Sequence, residues 1–133
     1  MFCSCDASLA KTPFVIELSG DWINSKDARR RFCGYGLLYE VSKFKTRKAP
    51  EDAFFLEHIK HIGKSFAGEQ RSVRLSMGGA LMGIGKRNAK LNAAALKLAR
   101  TIGPIDFSDE GRLPPFNVVK HLTNDHLRQK LGV

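Results

Sequence analysis

A long stretch of this sequence carries cations and no acids. Between Gln70 and Ile105 there is no aspartate or glutamate, whereas seven cationic side chains occur: Arg71, Arg74, Lys86, Arg87, Lys90, Lys97 and Arg100. Arg71 and Arg74 are three residues apart and share a helix face with Gly78, one turn further on. Guanidinium groups bind phosphate oxygens in pairs, and a glycine lets a backbone approach a phosphate. The pattern indicates either a phosphate-binding face or a solvated basic face.

A second basic cluster precedes this stretch. Arg29, Arg30 and Arg31 fall in the first turns of a predicted helix, where the helix dipole disfavours cations, so we expect something else to require them there. Consecutive helical residues point in different directions, so at most two of the three reach one partner. The cluster continues with Lys43, Lys45, Arg47 and Lys48. Two clusters on alternate helices of a stack would line the same side, which favours nucleic acid over a solvated surface.

The overall composition agrees with a polyanion-binding domain. The 133 residues include 22 lysines and arginines against 13 acids, a net charge of +9, and nucleic acid is the commonest partner of so basic a domain. With 43% hydrophobic residues, the chain has the composition of an ordinary soluble protein. No apolar run approaches the roughly 20 residues of a membrane helix. Since Met1–Asp6 lacks the features of a secretory signal, we expect a cytoplasmic protein with reduced cysteines.

Two further motifs suggest chemistry that their details do not support. Gly83–Lys86 is similar to a phosphate-binding loop, but Ala80 stands where that loop needs glycine, and Arg87 replaces its serine or threonine. His58 and His61 share one helix face, but no third ligand has a metal-site spacing. We therefore expect neither a metal nor a cofactor.

One acid near the N-terminus is a candidate for catalysis. A carboxylate such as that of Asp6, held near a cationic channel, would stabilise the positive charge that develops when a glycosidic bond breaks. An aspartate at such a position is more commonly a helix cap, so the residue alone does not indicate an enzyme.

The apolar residues of the chain recur with the spacing of helices, and these helices must position the candidate site residues. The apolar side chains at 55, 59, 62 and 66 step by four, three and four, as do those at 91, 95, 98 and 102. Capping residues, prolines and glycines place five helices, which start at Thr12-Pro13, run from about Lys26 to Phe44, start at Pro50, run from Gln70 to Gly85, and run from Asn88 to Gly103. Short helices are predicted from about Pro115 to Leu122 and from Asp125 to Leu131. Strand signals are nearly absent, so the prediction is an all-α protein.

The connections are short, which indicates antiparallel helical pairs. We predict one domain over residues 1–133, with about three helical pairs up to residue 103 and a C-terminal tail from 104 to 133 that carries the short helices. Stacked pairs form an α-solenoid, in which small residues such as Ser76, Ala80 and Gly83 let a neighbouring helix approach closely. Periodicity alone leaves a compact bundle as an equal alternative.

Several segments resemble the DNA alkylation repair family, the AlkD-like HEAT-repeat proteins. The matching segments are Lys11–Phe14, Arg30-Arg31 leading into Gly34–Leu38, Lys48–Asp52, Val73–Met77 running through Ala80–Asn88, and Ile102–Pro104 with the Pro-Phe and Val-Lys-His-Leu of the tail. The resemblance covers most of this chain but corresponds to about the C-terminal half of a usual family member. It implies a HEAT-like α-α superhelix with a basic concave face that binds duplex DNA by its backbone phosphates.

The resemblance also implies an activity and its residues. Characterised relatives excise alkylated purines by hydrolysing the N-glycosidic bond. The carboxylate would be Asp6, although it lies about one helical turn closer to Thr12–Phe14 than in relatives, and the catalytic arginine would be Arg31, with Arg30 as second choice. Gly79 stands where relatives often carry a tryptophan wall. The expected DNA-binding residues are Arg30, Arg31, Arg71, Arg74, Lys86 and Arg87.

Three functions therefore stay open at this level. The first is a DNA glycosylase for alkylated purines. The second is a truncated, non-catalytic HEAT-like module that binds nucleic acid or a protein partner. The third is a decayed fragment that needs an N-terminal companion chain, and the sequence also leaves a homo-oligomer open.

Overall fold

The computed structural model describes residues 14–45, 49–106 and 115–132, and most of these residues are helical. The helices are α1 (Val15–Ile23), α2 (Ala28–Ser42), α3 (Asp52–Ser65), α4 (Arg71–Gly85), α5 (Ala89–Ile102), α6 (Val118–Leu122) and α7 (Asp125–Leu131). A short 3-10 turn, Phe66–Gly68, follows α3 directly. Within the described ranges the only extended pairing is an isolated antiparallel bridge between Ile105 and Phe116. The all-α prediction is confirmed.

Helix boundaries follow the capping residues of the sequence. Asn88 begins α5, since its side-chain oxygen accepts a hydrogen bond from the Leu91 backbone N–H at 2.9 Å. Gly103 ends the same helix with a φ of 75°, a conformation that favours glycine. The second helix begins later than predicted because Asp27 is its cap, accepting a hydrogen bond from the Arg29 N–H at 3.1 Å.

The helices form two layers, and α4 lies at the centre of one of them. In one layer α2, α4 and α6 pack side by side; in the other α3 packs against α5. The α1 helix packs on α2, and α5 packs on α4 and α6. The α2 and α4 helices run parallel, and the pairing of Phe32 with Ser76 sets their offset at 44 residues. That offset falls within the repeat length of HEAT-like helical stacks, about 40–47 residues.

Small residues allow α2 and α4 to pack closely. The Ser76 hydroxyl donates a hydrogen bond to the Phe32 carbonyl at 2.6 Å, and Gly83 faces the side chains of Tyr39 and Ser42. Ser76 and Ala80 are both fully buried. The predicted seam of small residues is confirmed.

The apolar stripes read from the sequence form the core. Phe55 and Ile62 of α3 are fully buried, and Ile59 is 7% exposed. The other helices contribute Leu37, Leu38, Val41, Val73, Met77, Leu81, Ile84, Leu91 and Ala95. No helix in the described part of the chain has the length and apolar character needed to span a membrane.

Gly34 sets the contact between α1 and α2, and its replacement tests this packing. A Cβ at Gly34 would lie 2.7 Å from the backbone nitrogen of Ile23, and backbone cannot move aside as a flexible side chain can. We expect Gly34→Ala to lower the free energy of unfolding by about 2 kcal/mol, measured by urea denaturation. The control is Gly20→Ala on α1, where no atom lies within 4 Å of the new methyl group, so the change should stabilise the protein slightly. Equal stability of the two variants would contradict this packing.

Candidate nucleic-acid interface

A cationic groove opens where α2 and α4 end. Its cavity volume is about 500 Å³, and its lining comprises Tyr39, Ser42, Lys43, Phe44, Lys45, Gly83, Lys86, Arg87 and Lys130. Five of these residues are cationic and none is acidic. We call this set the cationic groove. It brings together two chain segments that the sequence placed in separate clusters, and adds Lys130 from α7.

Parallel packing explains why the cations meet there. Because α2 and α4 run in the same direction, their carboxyl-terminal ends lie side by side, and the residues that follow each helix fall at one edge. The partial negative charge at helix C-termini stabilises cations at this edge. The side chains of four lysines are exposed at this edge: Lys43, Lys45, Lys86 and Lys130. The Nζ of Lys43 lies 3.4 Å from Oε1 of Glu40 and sits over the Tyr39 ring.

Arg87 supports the wall of the groove. Its Nη1 donates hydrogen bonds to the carbonyl oxygens of Ser42 at 2.7 Å and Phe44 at 2.8 Å, and its guanidinium lies 4.5 Å from the centre of the Phe55 ring. Carbonyls at a helix end lack partners within the helix, so Arg87 satisfies the end of α2. Burial lowers the pKa of Arg87, and the carboxylate of Asp52 opposes this.

Arg31 makes an ion pair and two carbonyl contacts. Its Nε and Nη2 donate to the two carboxylate oxygens of Glu69 at 2.8 and 3.0 Å. Its Nη1 donates to the carbonyl oxygens of Ser25 at 3.0 Å and Lys26 at 2.9 Å. The hydrogen bonds to Glu69 raise the pKa of Arg31 further. These contacts join the α1–α2 connection to the α3–α4 connection.

Arg74 binds the same α3–α4 connection. Its Nε donates to the Phe66 carbonyl at 3.0 Å, its Nη2 donates to the Ala67 carbonyl at 2.6 Å, and its guanidinium lies 5.3 Å from the centre of the Phe66 ring. We call Arg31, Arg74 and Arg87 the carbonyl-bound arginines. In the structure, protein oxygens accept hydrogen bonds from guanidinium groups that were expected to bind phosphate.

The structure places two further predicted site residues, Arg30 and Arg71, apart from the groove. Arg30 is exposed in the first turn of α2, and Arg71 is the exposed first residue of α4, at the opposite ends of these helices from the groove. Of the six expected DNA-binding residues, Lys86 and Arg87 line the groove. Asp6 lies outside the described residues. The predicted catalytic and DNA-binding roles all stay predictions, including those of Lys86 and Arg87.

The structure does not support one of the alternatives left open for α4, in which Gly78 brings the helix backbone close to a phosphate. Gly78 is buried, and a Cβ at this position would lie 2.5 Å from Ile105 Cδ1 and 3.2 Å from the Phe116 ring. The bridge between Ile105 and Phe116 lays the tail across this face of α4. Contacts so distant in sequence have no local signature.

Comparison with known proteins supports the architecture. A scan against protein-family models found no match, and a search of curated proteins found none either. A search of solved structures found a protein described as belonging to a new family related to the HEAT-like repeat DNA glycosylases with affinity for branched DNA structures. The TM-score is 0.78 at 13% sequence identity, over 96% of this chain and 55% of the other. This chain therefore has the HEAT-like repeat fold, as predicted, and spans about half the length of that protein.

Proposed function

We propose that this protein binds DNA through the sugar-phosphate backbone, with the cationic groove as the binding surface. The observation that carries the proposal is the meeting of five cations around one groove with no acid in its lining. Four of them follow the C-terminal ends of α2 and α4, and the fifth lies on α7. A nucleic acid backbone presents closely spaced negative charges, and lysines and arginines that neutralise them release bound counterions.

The side chains of the groove suit binding without base recognition. Lysine ammonium groups act as point charges on flexible stems, and Lys43, Lys45, Lys86 and Lys130 are exposed at the groove. The guanidinium of Arg87 is held against carbonyls and Phe55, so its role is to fix the wall that carries these lysines. Contacts of this kind position a backbone and carry no sequence information directly.

The structural neighbour is described as having affinity for branched DNA, which supports DNA as the polyanion that binds the groove. Branched DNA is therefore a substrate to compare with linear duplex. The experiment measures fluorescence anisotropy of a labelled linear duplex, a four-way junction and a single strand between 50 and 300 mM salt. Four lysine contacts give an expected slope of log K against log salt of about −3 to −4. Poly-glutamate is the matched competitor, a polyanion with a different geometry. A flat salt dependence, or displacement by poly-glutamate as readily as by unlabelled duplex, would contradict DNA binding at this groove.

Excision of an alkylated purine is the second candidate, which the fold likeness to a protein related to DNA glycosylases favours. It requires Asp6 and Arg31, and all the Arg31 contacts described above are to protein oxygens. The test is release of 7-methylguanine from methylated duplex DNA. Release that falls sharply in Asp6→Asn supports an enzyme, whereas binding without release identifies a non-catalytic module.

A further inference from the structure

A second cationic surface lies on the other layer of the molecule. It consists of Lys60 and Lys64 on α3 and Lys90, Lys97 and Arg100 on α5, all exposed. We call these five residues the outer stripe. None of them lines the cationic groove, whose cations come from the ends of α2 and α4 and from α7.

Helical spacing puts the outer stripe on the solvent side of its layer. On α5 the buried residues Leu91, Ala95 and Ala99 face the interior, while positions 90, 97 and 100 fall on the opposite side of the helix. On α3 the buried residues are Phe55, Ile59 and Ile62, and positions 60 and 64 are one turn apart on the exposed side.

The contact between α3 and α5 joins the two halves of the stripe. A Cβ at Gly63 would lie 3.3 Å from Cδ1 of Leu98, so the helices touch at these two residues. Lys64 follows Gly63 in the chain and Lys97 precedes Leu98. The lysines of α3 and the cations of α5 therefore border one helix contact and form a continuous surface.

The outer stripe has little charge compensation of its own. In the described ranges, neither ion pair that the structure contains involves any of its five cations. One exposed acid, Glu57, shares the α3 face, and α5 has no acid at all. Like charges gathered on one face destabilise the folded state by self-repulsion, and binding of a polyanion relieves this cost.

We propose that the outer stripe is a second DNA-backbone site, so that one molecule holds two duplex segments at once, one in the cationic groove and one across α3 and α5. The inference rests on the proposed function, because it takes the groove as the first site. It adds a substrate class: DNA in which two duplexes come together, such as neighbouring arms of a branch or two separate helices.

The test is capture of a free fluorescent duplex by a second duplex fixed to beads, at protein concentrations below saturation of either DNA. The wild-type protein is expected to capture the free duplex and to bind two short duplexes per molecule in sedimentation equilibrium. In Lys97→Gln/Arg100→Gln we expect at least fivefold less capture and a stoichiometry closer to one. The control Lys97→Arg/Arg100→Lys keeps both charges and should capture as the wild type does. Sedimentation of the protein alone gives its mass. A stable dimer could hold one duplex in each of its two grooves, so capture by a dimer would overturn the inference.

The outcomes separate the two proposals. A wild-type protein that binds single duplexes but captures no second one, or a neutralised variant that captures as well as the wild type, overturns the outer stripe and leaves the groove intact. A groove variant that loses all duplex binding also overturns it, because the outer stripe should retain a weak, salt-sensitive affinity. Failure of the wild type to bind any duplex rejects the proposed function and this inference together.

Discussion

Replacing Lys43, Lys45 and Lys86 with glutamine is expected to weaken binding of a linear duplex about 100-fold at 0.1 M salt. Each phosphate contact adds about 0.9 to the salt slope, which is roughly eightfold in affinity for each tenfold change in salt. Loss of three contacts should therefore lower the slope by about 3 as well as the affinity. Anisotropy titrations at several salt concentrations measure both quantities.

The matched control replaces the same three lysines with arginine. This variant keeps the charge of the groove, so its affinity should stay within about threefold of the wild type for backbone contacts of this kind. Circular dichroism establishes that all three proteins are equally helical. A glutamine variant with wild-type affinity and slope would show that DNA does not bind at the ends of α2 and α4.

Replacing Arg31 with methionine is expected to lower the free energy of unfolding by about 3 kcal/mol. The substitution leaves the Glu69 carboxylate, whose side chain is 9% exposed, without its guanidinium partner, and removes the hydrogen bonds to the Ser25 and Lys26 carbonyls. Since Arg31 itself is 22% exposed, the expected loss is at the lower end of the range for a buried pair. Urea denaturation followed by circular dichroism measures it.

Arg30→Met is the control for Arg31, since Arg30 is the preceding residue and is exposed. Its effect on unfolding should stay within about 0.5 kcal/mol, as for most surface substitutions. A catalytic Arg31 makes a further prediction: the methionine variant would lose release of the methylated purine under conditions in which it is still folded. The two measurements on one variant therefore separate a role in holding the fold from a role in chemistry.

Local sequence patterns predicted the helices because their causes are local. The Phe55, Ile59 and Ile62 spacing is a property of one helix, and its burial follows once any apolar surface is available. Asn88 and Gly103 act on the backbone of the α5 ends directly, so their effect is visible without the rest of the chain. The choice between a stacked superhelix and a compact bundle depends on packing between helices, which periodicity does not contain.

The candidate site was only partly predictable for the same reason. The sequence shows that Lys86 and Arg87 follow a helix, but the carbonyls of Ser42 and Phe44 that bind Arg87 are more than 40 residues away in the chain. Glu69 lies 38 residues from Arg31, so their pairing has no local pattern either. Lys130 lies in the C-terminal tail, and no local pattern indicates that this residue lines the groove. An arginine pattern by itself does not distinguish a backbone carbonyl from a phosphate oxygen, since both accept the same N–H donors.

Two of the carbonyl-bound arginines, Arg31 and Arg87, also couple the unfolding of neighbouring helical pairs. Arg31 and Arg87 connect segments from neighbouring helical pairs, so neither pair can open without breaking charged hydrogen bonds to the other. In repeat proteins, strong coupling between neighbours suppresses the loosening of single repeats. The backbone amides of α2 and α4 should therefore exchange with deuterium through one shared opening event, and the molecule should melt as a single cooperative unit.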